Sequence, residues 1–329
     1  MPSFMNSKFK EYKEIFDAFL VSDLPKVAPK ELYEPYHYIL NLDAKRIRPI
    51  LMLASKSCFG DINRDDMCTA LAIELFHNFS LMHDDIMDKS DTRRGFPTVH
   101  KKFSENSAIL SGDAMLILSY QLLEKIENQH HFFEIYKLYN KTAVEICIGQ
   151  QLDMNFETEF NVSEAEYLMM IEHKTAVLLA CSLQIGAILG DASAFDKKAF
   201  YDFGLNIGMA FQIQDDLLDT FGDEAAVGKR IGGDICNNKK TLLLIKSIQA
   251  AHKIHKELII QWLQTNEFNE DKVKDITQIY IDSGARNYVI NKRNEYYEKA
   301  IKSLDNASIS EDNKEILISF AQKAVDRIK

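Results

Sequence analysis

Proline is missing from most of this chain, and its absence constrains the fold more than any other feature. All six prolines lie at or before Pro97, so the sequence from Thr98 to Lys329 contains none. Turns and edge strands commonly use proline, and a long proline-free stretch therefore favours helices joined by short loops. Val and Thr form no alternating runs, so no strand is predicted. The sequence predicts an all-α protein.

Helical periodicity and end signals locate several of these helices. Apolar residues recur at three- and four-residue steps in residues 71–79. Ser163 and Glu166 form a capping box, which opens a helix predicted to run to about Leu189. Residues 201–219 form another predicted helix, in which Gly208 permits close packing. No linker or repeat divides the chain, so we predict one domain, residues 1–329. Breaks are predicted near residues 60–61, 91–97, 191, 221–238 and 305–312.

Composition excludes several classes of protein. The formal net charge of −10 argues against a nucleic-acid binder, which needs an excess of Lys and Arg. The five cysteines form no Cys-x-x-Cys pair, which favours reduced thiols in the cytoplasm. Residues 1–20 lack the apolar run of a signal peptide, and the most apolar run, residues 176–190, is shorter than a membrane span. We expect a soluble cytoplasmic protein without a transmembrane segment.

Asp84, Asp85 and Asp88 form the first of two acidic motifs. On a helix, Asp84 and Asp88 lie one turn apart on one face, where like charges repel unless a cation lies between them. Oxygen ligands of this kind suit Mg²⁺, which keeps several waters and bridges to substrate phosphates. A solvated acidic helix end is the ordinary alternative for a single motif of this kind.

The second acidic motif, Asp215, Asp216 and Asp219, lies inside an apolar helix and follows Gln212. Two such motifs facing each other across a helical bundle would hold several metal ions around one diphosphate. Two copies arise by chance much less often than one. We therefore predict that the aspartates of both motifs serve Mg²⁺ binding.

Cations accompany both motifs along the chain. Lys174 lies inside an apolar helix, where an ammonium group is costly to bury unless an anion is near. A side chain that reaches out to solvent is the ordinary alternative. Arginine suits bidentate contact with phosphate. Carboxylates for Mg²⁺, cations for phosphate and an apolar helical interior together suit a diphosphate attached to a hydrocarbon. The other basic residues near the motifs are Lys45, Arg46, Arg48, Arg93, Arg94, Lys229 and Lys239.

From about Leu32 to Ala300 the chain resembles the trans-prenyl diphosphate synthases (polyprenyl synthetases). The matching motifs are Lys45-Arg46-Ile47-Arg48-Pro49, His83-Asp84-Asp85-Ile86-Met87-Asp88, Arg93-Arg94-Gly95, Gly149-Gln150-Gln151-Leu152-Asp153, Lys174-Thr175, Phe211-Gln212-Ile213-Gln214-Asp215-Asp216-Leu217-Leu218-Asp219, and Gly228-Lys229 through Gly232, Asp234, Lys239 and Thr241. The resemblance implies an isoprenoid synthase fold, a single large helical bundle around a central apolar cavity, and a homodimer.

The resemblance also implies an Mg²⁺-dependent transferase of isoprenoid biosynthesis. Such an enzyme adds isopentenyl diphosphate head-to-tail to an allylic diphosphate by ionisation, condensation and loss of a proton to the released pyrophosphate. The implied metal ligands are Asp84, Asp88 and Asp215, supported by Asp85, Asp216 and Asp219. The implied allylic diphosphate site comprises Arg93, Lys174, Lys229 and Lys239, with Thr175 and Gln212 at the reacting centre. The implied isopentenyl diphosphate site comprises Lys45, Arg48, His77 and Arg94.

Three positions depart from the family pattern. Asp43-Ala44 stands where a Gly-Gly pair is usual, Asn238 replaces a loop glycine, and no proline follows Thr241. The charged residues are intact, but Lys239 and Lys240 remain alternatives for the diphosphate contact.

Product length is expected to depend on the residues beneath the first motif. Ser80 lies one turn and Phe76 two turns before Asp84, and Phe79 precedes Ser80. A large ring here would stop chain growth, whereas a small residue would let it continue. Phe79 beside a small residue resembles the geranylgeranyl-type pattern. We predict geranylgeranyl diphosphate as the product, with farnesyl diphosphate as the alternative, although both phenylalanines could be ordinary core residues.

Three other classes of protein compete with this interpretation. A class I terpene cyclase shares the first motif, but its second motif usually carries Asn, Ser or Thr, and Glu. A ferritin-like di-iron protein would use Glu74 with His77 and Glu127 with His130, and it would leave the aspartate motifs without a role. A non-catalytic partner subunit would be expected to lose acidic ligands, whereas both motifs are complete here.

Overall fold

The protein was analysed as a computed structural model, which describes residues 7–223, 231–265 and 269–326. Within these residues nearly all regular structure is helical, so the all-α prediction is confirmed. The predicted diphosphate ligand Lys229 lies outside the described residues. By internal contacts the chain divides into two compact units. Unit 1 comprises Met1–Asn140 and Cys181–Lys198, and unit 2 comprises Lys141–Ala180 and Ala199–Lys329. The single domain over residues 1–329 stays a prediction.

Unit 1 is built mainly from six helices and a short hairpin. Its elements are α1 (Ser7–Asp23), α2 (Lys30–Asn41), α3 (Ile47–Ser57), α4 (Arg64–Met87), β1 (Thr92–Arg93), β2 (Phe96–Pro97), α5 (Val99–Lys102) and α6 (Glu105–Leu123), followed by the first part of α7 (Gln129–Thr158). Helix α4 packs against α1, α2, α3, α5 and α6. Because its middle turns are apolar on every side, α4 is the buried central helix of this unit.

The strands β1 and β2 correct the prediction that the chain has no strand. They pair antiparallel, Thr92 opposite Pro97 and Arg93 opposite Phe96. The two-residue turn between them has φ of +54° at Arg94 and +80° at Gly95. Positive φ at both positions is typical of a type I′ turn, which glycine favours and arginine does not. The Arg-Gly pair therefore gives a weak turn signal, and two-residue strands are too short to show alternation.

All regular secondary structure in the described residues of unit 2 is helical. After the second part of α7 its elements are α8 (Glu164–Ile171), a π-helical turn (Glu172–Ala176), α9 (Val177–Leu189), α10 (Ala194–Phe221), α11 (Gly233–Cys236), α12 (Leu242–Ala250), α13 (Lys253–Trp262), α14 (Glu270–Asp282), α15 (Ala285–Ser303) and α16 (Glu311–Val325). The unit boundary falls within α7, α9 and α10.

The helix predicted to open at Ser163 is present and reaches Leu189, but a π-helical turn interrupts it. Ser163 and Glu166 form the capping box as predicted. The π-helical turn, Glu172–Ala176, contains Lys174 and Thr175. Such turns are rare and frequently lie at functional sites. Apolar periodicity gives no sign of one extra residue in a turn, so the sequence did not predict it.

Two glycines let other helices approach this π-helical turn closely. A Cβ added at Gly149 of α7 would lie 2.2 Å from the backbone nitrogen of Lys174. A Cβ added at Gly208 of α10 would lie 2.6 Å from the Cα of Ala176. Both distances are well inside van der Waals contact, so only glycine fits at these crossings. The close packing predicted for Gly208 is therefore present.

The stretch Glu164–Leu189 is long and apolar enough to cross a membrane by length and composition. However, 61% of its most apolar window is buried inside the protein. The core helix of a soluble protein shows the same combination, so this stretch is weak evidence for a membrane span.

Candidate functional site

The first acidic motif lies at the C-terminal end of α4, where its three carboxylates differ in environment. Asp85 is buried, and both of its oxygens accept hydrogen bonds from Arg93, with Nε–Oδ2 and Nη2–Oδ1 distances of 2.7 Å. Asp84 is half-buried and Asp88 is exposed, one helical turn further on. The buried carboxylate is thus neutralised by Arg93, whereas Asp84 is partly and Asp88 largely exposed to solvent.

The hairpin after α4 brings Arg93 to Asp85. The Ser90 amide donates to the Asp85 carbonyl at 2.9 Å, and the Thr98 hydroxyl donates to the Ser90 carbonyl at 2.8 Å. These bonds tie both ends of the hairpin to the end of α4. The turn at Arg94 then reverses the chain, so that Arg93 lies beside the motif that precedes it, whereas Arg94 Nη1 donates to the Ile39 carbonyl at 3.4 Å.

Arg48, His77 and Arg94 form a basic cluster in unit 1. Arg48 Nη1 lies 3.0 Å from His77 Nε2 and donates to it, so His77 accepts as a neutral imidazole. Burial, with the neighbouring arginines, holds the pKa of His77 well below its usual value of 6.5. Burial also lowers the pKa of Arg48 to about 10. Arg48 Nε is buried without a hydrogen-bond partner, which fits a cluster that receives an anion.

Arg46 points inward from the basic motif that also contains Lys45 and Arg48. Its Nη1 donates to Glu74 Oε1 at 2.7 Å, its Nη2 donates to the Leu40 carbonyl, and its φ is +51°. A buried and paired guanidinium of this kind anchors the start of α3. Lys45 is exposed beside it. The sequence did not distinguish the anchoring arginine from its neighbours.

The residues beneath the first motif form an aromatic cluster in unit 1. Phe76 is only 2% exposed, and its ring contacts those of Phe79 and Tyr139 at centroid distances of 5.4 Å and 5.3 Å. Phe79 and Ser80 are half-buried. Phe76 is therefore a core residue in this structure, and Phe79 is the phenylalanine with a partly open face.

The second acidic motif lies near the end of α10, and Asp216 in it is held by neutral donors. Asp216 accepts from the Tyr167 hydroxyl at 2.5 Å and from Gln212 Nε2 at 3.0 Å, and the Thr175 hydroxyl donates to Gln212 Oε1 at 3.0 Å. Burial raises the pKa of Asp216 to about 7, and repulsion from the other two aspartates of the motif adds to the rise. Asp216 is therefore a buried carboxyl group whose ionised form is disfavoured.

Asp219 connects the second motif to the loop that follows α10. Its Oδ2 accepts from the Asp234 amide at 2.8 Å. Gly233 lies so close that a Cβ there would be 3.3 Å from Asp219 Oδ1. This contact fixes the start of the segment that carries Lys239 relative to the motif.

Asp153 brings two of the predicted phosphate ligands together. Its Oδ2 lies 2.7 Å from Lys174 Nζ and 3.3 Å from Lys239 Nζ. Burial favours the neutral acid, but the two ammonium groups outweigh it and lower the pKa of Asp153. Gly149, one helical turn earlier, allows α7 to approach Lys174 closely enough for this pairing. Asp153 ends one of the motifs shared with the family, but no role was predicted for it.

A cavity of about 180 Å³ in unit 2 joins these groups to an apolar wall. Its polar side includes Lys174, Lys239 and Asp216, and its apolar side includes Phe156 and Met170. Lys240 also lines it, but its Nζ donates to the Asn238 carbonyl at 3.1 Å, whereas Lys239 reaches Asp153. Of the two alternatives, Lys239 is the lysine that lies with Lys174.

The donor groups suit Mg²⁺ if substrate completes the coordination. Among the described residues, no group of three or more His, Cys, Asp or Glu side chains is arranged so that it could hold a metal ion. Mg²⁺ at phosphate sites typically takes one or two carboxylates, and waters and phosphate oxygens supply the rest. Asp84 with Asp88 offers such a pair. The raised pKa of Asp216 marks a second group of carboxylates that a divalent cation would stabilise.

Sequence comparison finds relatives along most of the chain. A family model described as polyprenyl synthetase matches residues 29–280. A geranylgeranyl diphosphate synthase from Methanosarcina mazei is 39% identical over 290 residues, which are 88% of this chain and 88% of that protein.

Solved structures are similar over nearly the whole chain. A crystal structure of a geranylgeranyl pyrophosphate synthase, 41% identical, aligns with a TM-score of 0.93 over 99% of this chain and 100% of the other. A geranylgeranyl pyrophosphate synthase from Corynebacterium glutamicum, complexed with isoprenyl diphosphate and magnesium, is 26% identical and aligns with a TM-score of 0.83 over 98% of each chain.

Proposed function

The chain belongs to the polyprenyl synthetase family, as its motifs predicted, and we propose that it condenses isopentenyl diphosphate head-to-tail with an allylic diphosphate. The observation that carries the proposal is the cavity in unit 2, which is lined both by Lys174 and Lys239 and by apolar side chains. An anionic head with a hydrocarbon tail matches that division. The relatives that are named geranylgeranyl diphosphate or pyrophosphate synthases support geranylgeranyl diphosphate as the product.

We propose that unit 2 contributes groups that hold the allylic diphosphate. Lys174 and Lys239 share one carboxylate, Asp153, which preorganises both ammonium groups before substrate arrives. Preorganised charges stabilise a developing anion without reorganising during the reaction. Thr175 and Gln212 are hydrogen-bonded to each other, so their orientation toward a bound substrate is fixed. Lys229 belongs to the same proposed set.

We propose that unit 1 contributes the isopentenyl diphosphate ligands Lys45, Arg48, His77 and Arg94, and that Arg93 binds the allylic diphosphate. The orphan Nε of Arg48 and the lowered pKa of Arg94, caused first by burial, support an anion at this cluster. Because His77 is neutral, it can orient Arg48 by accepting its hydrogen bond and adds no positive charge to the site. Asp85 holds Arg93 by two hydrogen bonds and so supports it.

We propose Mg²⁺ as the cofactor, with Asp84, Asp88 and Asp215 as ligands and Asp85, Asp216 and Asp219 in support. Mg²⁺ bound with the diphosphate would supply Lewis acidity for departure of pyrophosphate. Tyr167 and Gln212 orient Asp216, and the Asp234 amide orients Asp219. No protein base is assigned, because the proton lost after condensation can pass to the released pyrophosphate.

Product length is proposed to depend on Phe79 more than on Phe76, since Phe79 has the partly open face. Phe79→Ala should shift the product distribution toward chains longer than those of the wild type, measured by chromatography of the dephosphorylated alcohols. Ser80→Ala is the matched control, because it changes a neighbour without opening space. An unchanged distribution in Phe79→Ala would contradict this assignment.

We propose a cytoplasmic homodimer. Exposed apolar side chains on α6 support a second copy of the chain: Ile109, Leu110 and Ile117 are 41%, 60% and 59% exposed. Phe133 on α7 is 58% exposed. Sedimentation of the purified protein would test the association.

The experiment that tests the proposed reaction combines labelled isopentenyl diphosphate with dimethylallyl, geranyl or farnesyl diphosphate and Mg²⁺. Chain extension, with geranylgeranyl diphosphate as the main product, is expected. A control with the allylic substrate alone separates this enzyme from a terpene cyclase, which would release hydrocarbon. Failure to incorporate label with every starter would refute the proposed function.

A further inference from the structure

Lys272 is a buried cation outside every motif described above. It lies on α14 and is only 1% exposed. Its Nζ donates to Asn238 Oδ1 at 2.7 Å, to the Thr265 carbonyl at 2.7 Å and to the Cys236 carbonyl at 3.2 Å. These three acceptors match the three N–H groups of an ammonium ion. Within the described part of the chain, Lys272 forms no ion pair.

A buried ammonium held only by dipoles is a costly way to fill space. A buried charge loses the favourable hydration that it has in water, and burial lowers the pKa of Lys272. An apolar side chain of similar length would fill the same volume without that cost. We therefore attribute the charge to its hydrogen bonds, which hold the chain segment at residues 236–238 in place.

Asn238 is the second half of this arrangement. Its φ is +54°, in the left-handed region, which asparagine tolerates better than most residues. Its Nδ2 donates to the carbonyls of Leu263 and Thr265, each at 3.1 Å. The side chain that replaces the usual loop glycine thus bridges its loop to the end of α13, while its Oδ1 accepts from Lys272. Asn238 thus adopts the left-handed backbone conformation that a glycine would take there. Its side chain adds hydrogen bonds that hold the loop.

The anchored segment leads directly into Lys239. The Lys239 amide donates to the Asp234 carbonyl at 2.9 Å, and its Nζ reaches Asp153 at 3.3 Å. Because the backbone at residue 238 sets the direction of the next side chain, a shift there would move the Lys239 ammonium. We infer that Lys272 is a positioning residue for the allylic diphosphate site, which it serves by fixing the loop that aims Lys239. This inference rests on the proposed function.

Substitution of Lys272 by methionine removes the charge and keeps the length of the side chain. Because Lys239 would then be misplaced, we expect the KM for the allylic diphosphate to rise about tenfold. The KM for isopentenyl diphosphate should stay within about twofold of the wild-type value, because its proposed ligands lie in unit 1. Asn238→Gly, which keeps the left-handed backbone and loses the bridge, should raise the allylic KM in the same direction by about threefold.

Thr277→Val on the same helix is the matched control, because it removes a hydroxyl that has no partner and leaves the loop untouched. Initial-rate kinetics with each substrate varied, together with thermal unfolding, give the readouts. If Lys272→Met lowers the melting temperature and kcat while the allylic KM stays at the wild-type value, the role is only structural and the inference is wrong. Inactivity of the wild type with all starters would instead refute the proposed function.

Discussion

The two acidic motifs share the Asp-Asp-x-x-Asp pattern, but the second aspartate of each lies in different surroundings. In unit 1 the buried Asp85 is neutralised by a bidentate arginine, whereas in unit 2 the buried Asp216 accepts from a tyrosine hydroxyl and an amide. An arginine cancels a carboxylate charge, but a neutral donor only stabilises it. The first motif therefore contains a buried carboxylate that is paired with an arginine, whereas Asp216 of the second motif is a buried carboxyl group held by neutral donors.

A shared pattern therefore does not imply a shared role. The ion pair of the first motif orders Arg93, a proposed substrate ligand. In the second motif, burial raises the pKa of Asp216 to about 7, with repulsion from the neighbouring aspartates adding to the rise, and a bound cation would favour the ionised form. The proposed supporting aspartates Asp85 and Asp216 are thus held by different kinds of partner.

The largest expected effect is on turnover, where the two motifs should behave alike. Asp84→Asn and Asp215→Asn each remove a proposed metal ligand, so each should reduce kcat by about 10²- to 10³-fold. Steady-state assays over a range of Mg²⁺ concentrations measure this, with the exposed Glu298→Gln as control. Near-normal turnover in either variant would show that its motif is not a ligand set.

The free energy of unfolding should distinguish the two motifs, although their effects on turnover should be alike. Arg93→Gln leaves Asp85 buried without its partner, which should cost about 3 kcal/mol. Tyr167→Phe removes a neutral donor from Asp216 and should cost about 1 kcal/mol. Urea unfolding followed by circular dichroism measures both free energies. An equal or reversed order would contradict the distinction between Asp85, paired with an arginine, and Asp216, held by neutral donors.

Asp216 should make the metal-free protein less stable as the pH rises. Its folded pKa of about 7 exceeds the ordinary value of 3.8, so the folded state holds the proton more tightly than the unfolded state. Its contribution is complete below pH 3.8 and is lost as the pH rises through about 7. Asp216→Asn should flatten this part of the stability–pH curve. A curve with the wild-type slope between pH 4 and 7 would contradict the assignment.

His77 should give a smaller effect of the opposite sign in unit 1. Its folded pKa lies well below 6.5, so the unfolded state binds the proton first and stability falls as the pH drops below about 6.5. His77→Gln keeps an acceptor for Arg48 and removes the titration. We expect the variant to resist acid better than the wild type between pH 6.5 and 5, measured by thermal unfolding. Identical acid sensitivity would argue that His77 is not held neutral.

Much of the fold was predictable because its signals are local. The proline-free stretch, the Ser163–Glu166 capping box and the helical periodicity depend on neighbouring residues, and the helices they predict are present. The motifs also identified the family. The π-helical turn and the hairpin at Arg94-Gly95 were not predicted, because each depends on one or two residues whose backbone conformation is set by tertiary contacts.

Pairings between distant residues could not be predicted from the sequence, for a different reason. Asp153 with Lys174, Tyr167 with Asp216, and Arg46 with Glu74 each join helices that lie far apart in the chain. No periodicity encodes such a partner. Asn238 is recognisable in the sequence as a departure from the family pattern, but its partner Lys272 lies 34 residues further along the chain.

Elongation of an allylic diphosphate by this chain is tested most directly by the rate of label transfer from isopentenyl diphosphate to farnesyl diphosphate. The reaction is followed with the purified protein, with Mg²⁺ and with a chelator. We expect Mg²⁺-dependent formation of labelled geranylgeranyl diphosphate that stops when the metal is removed. Absence of labelled prenyl product from farnesyl, geranyl and dimethylallyl diphosphate alike would contradict it.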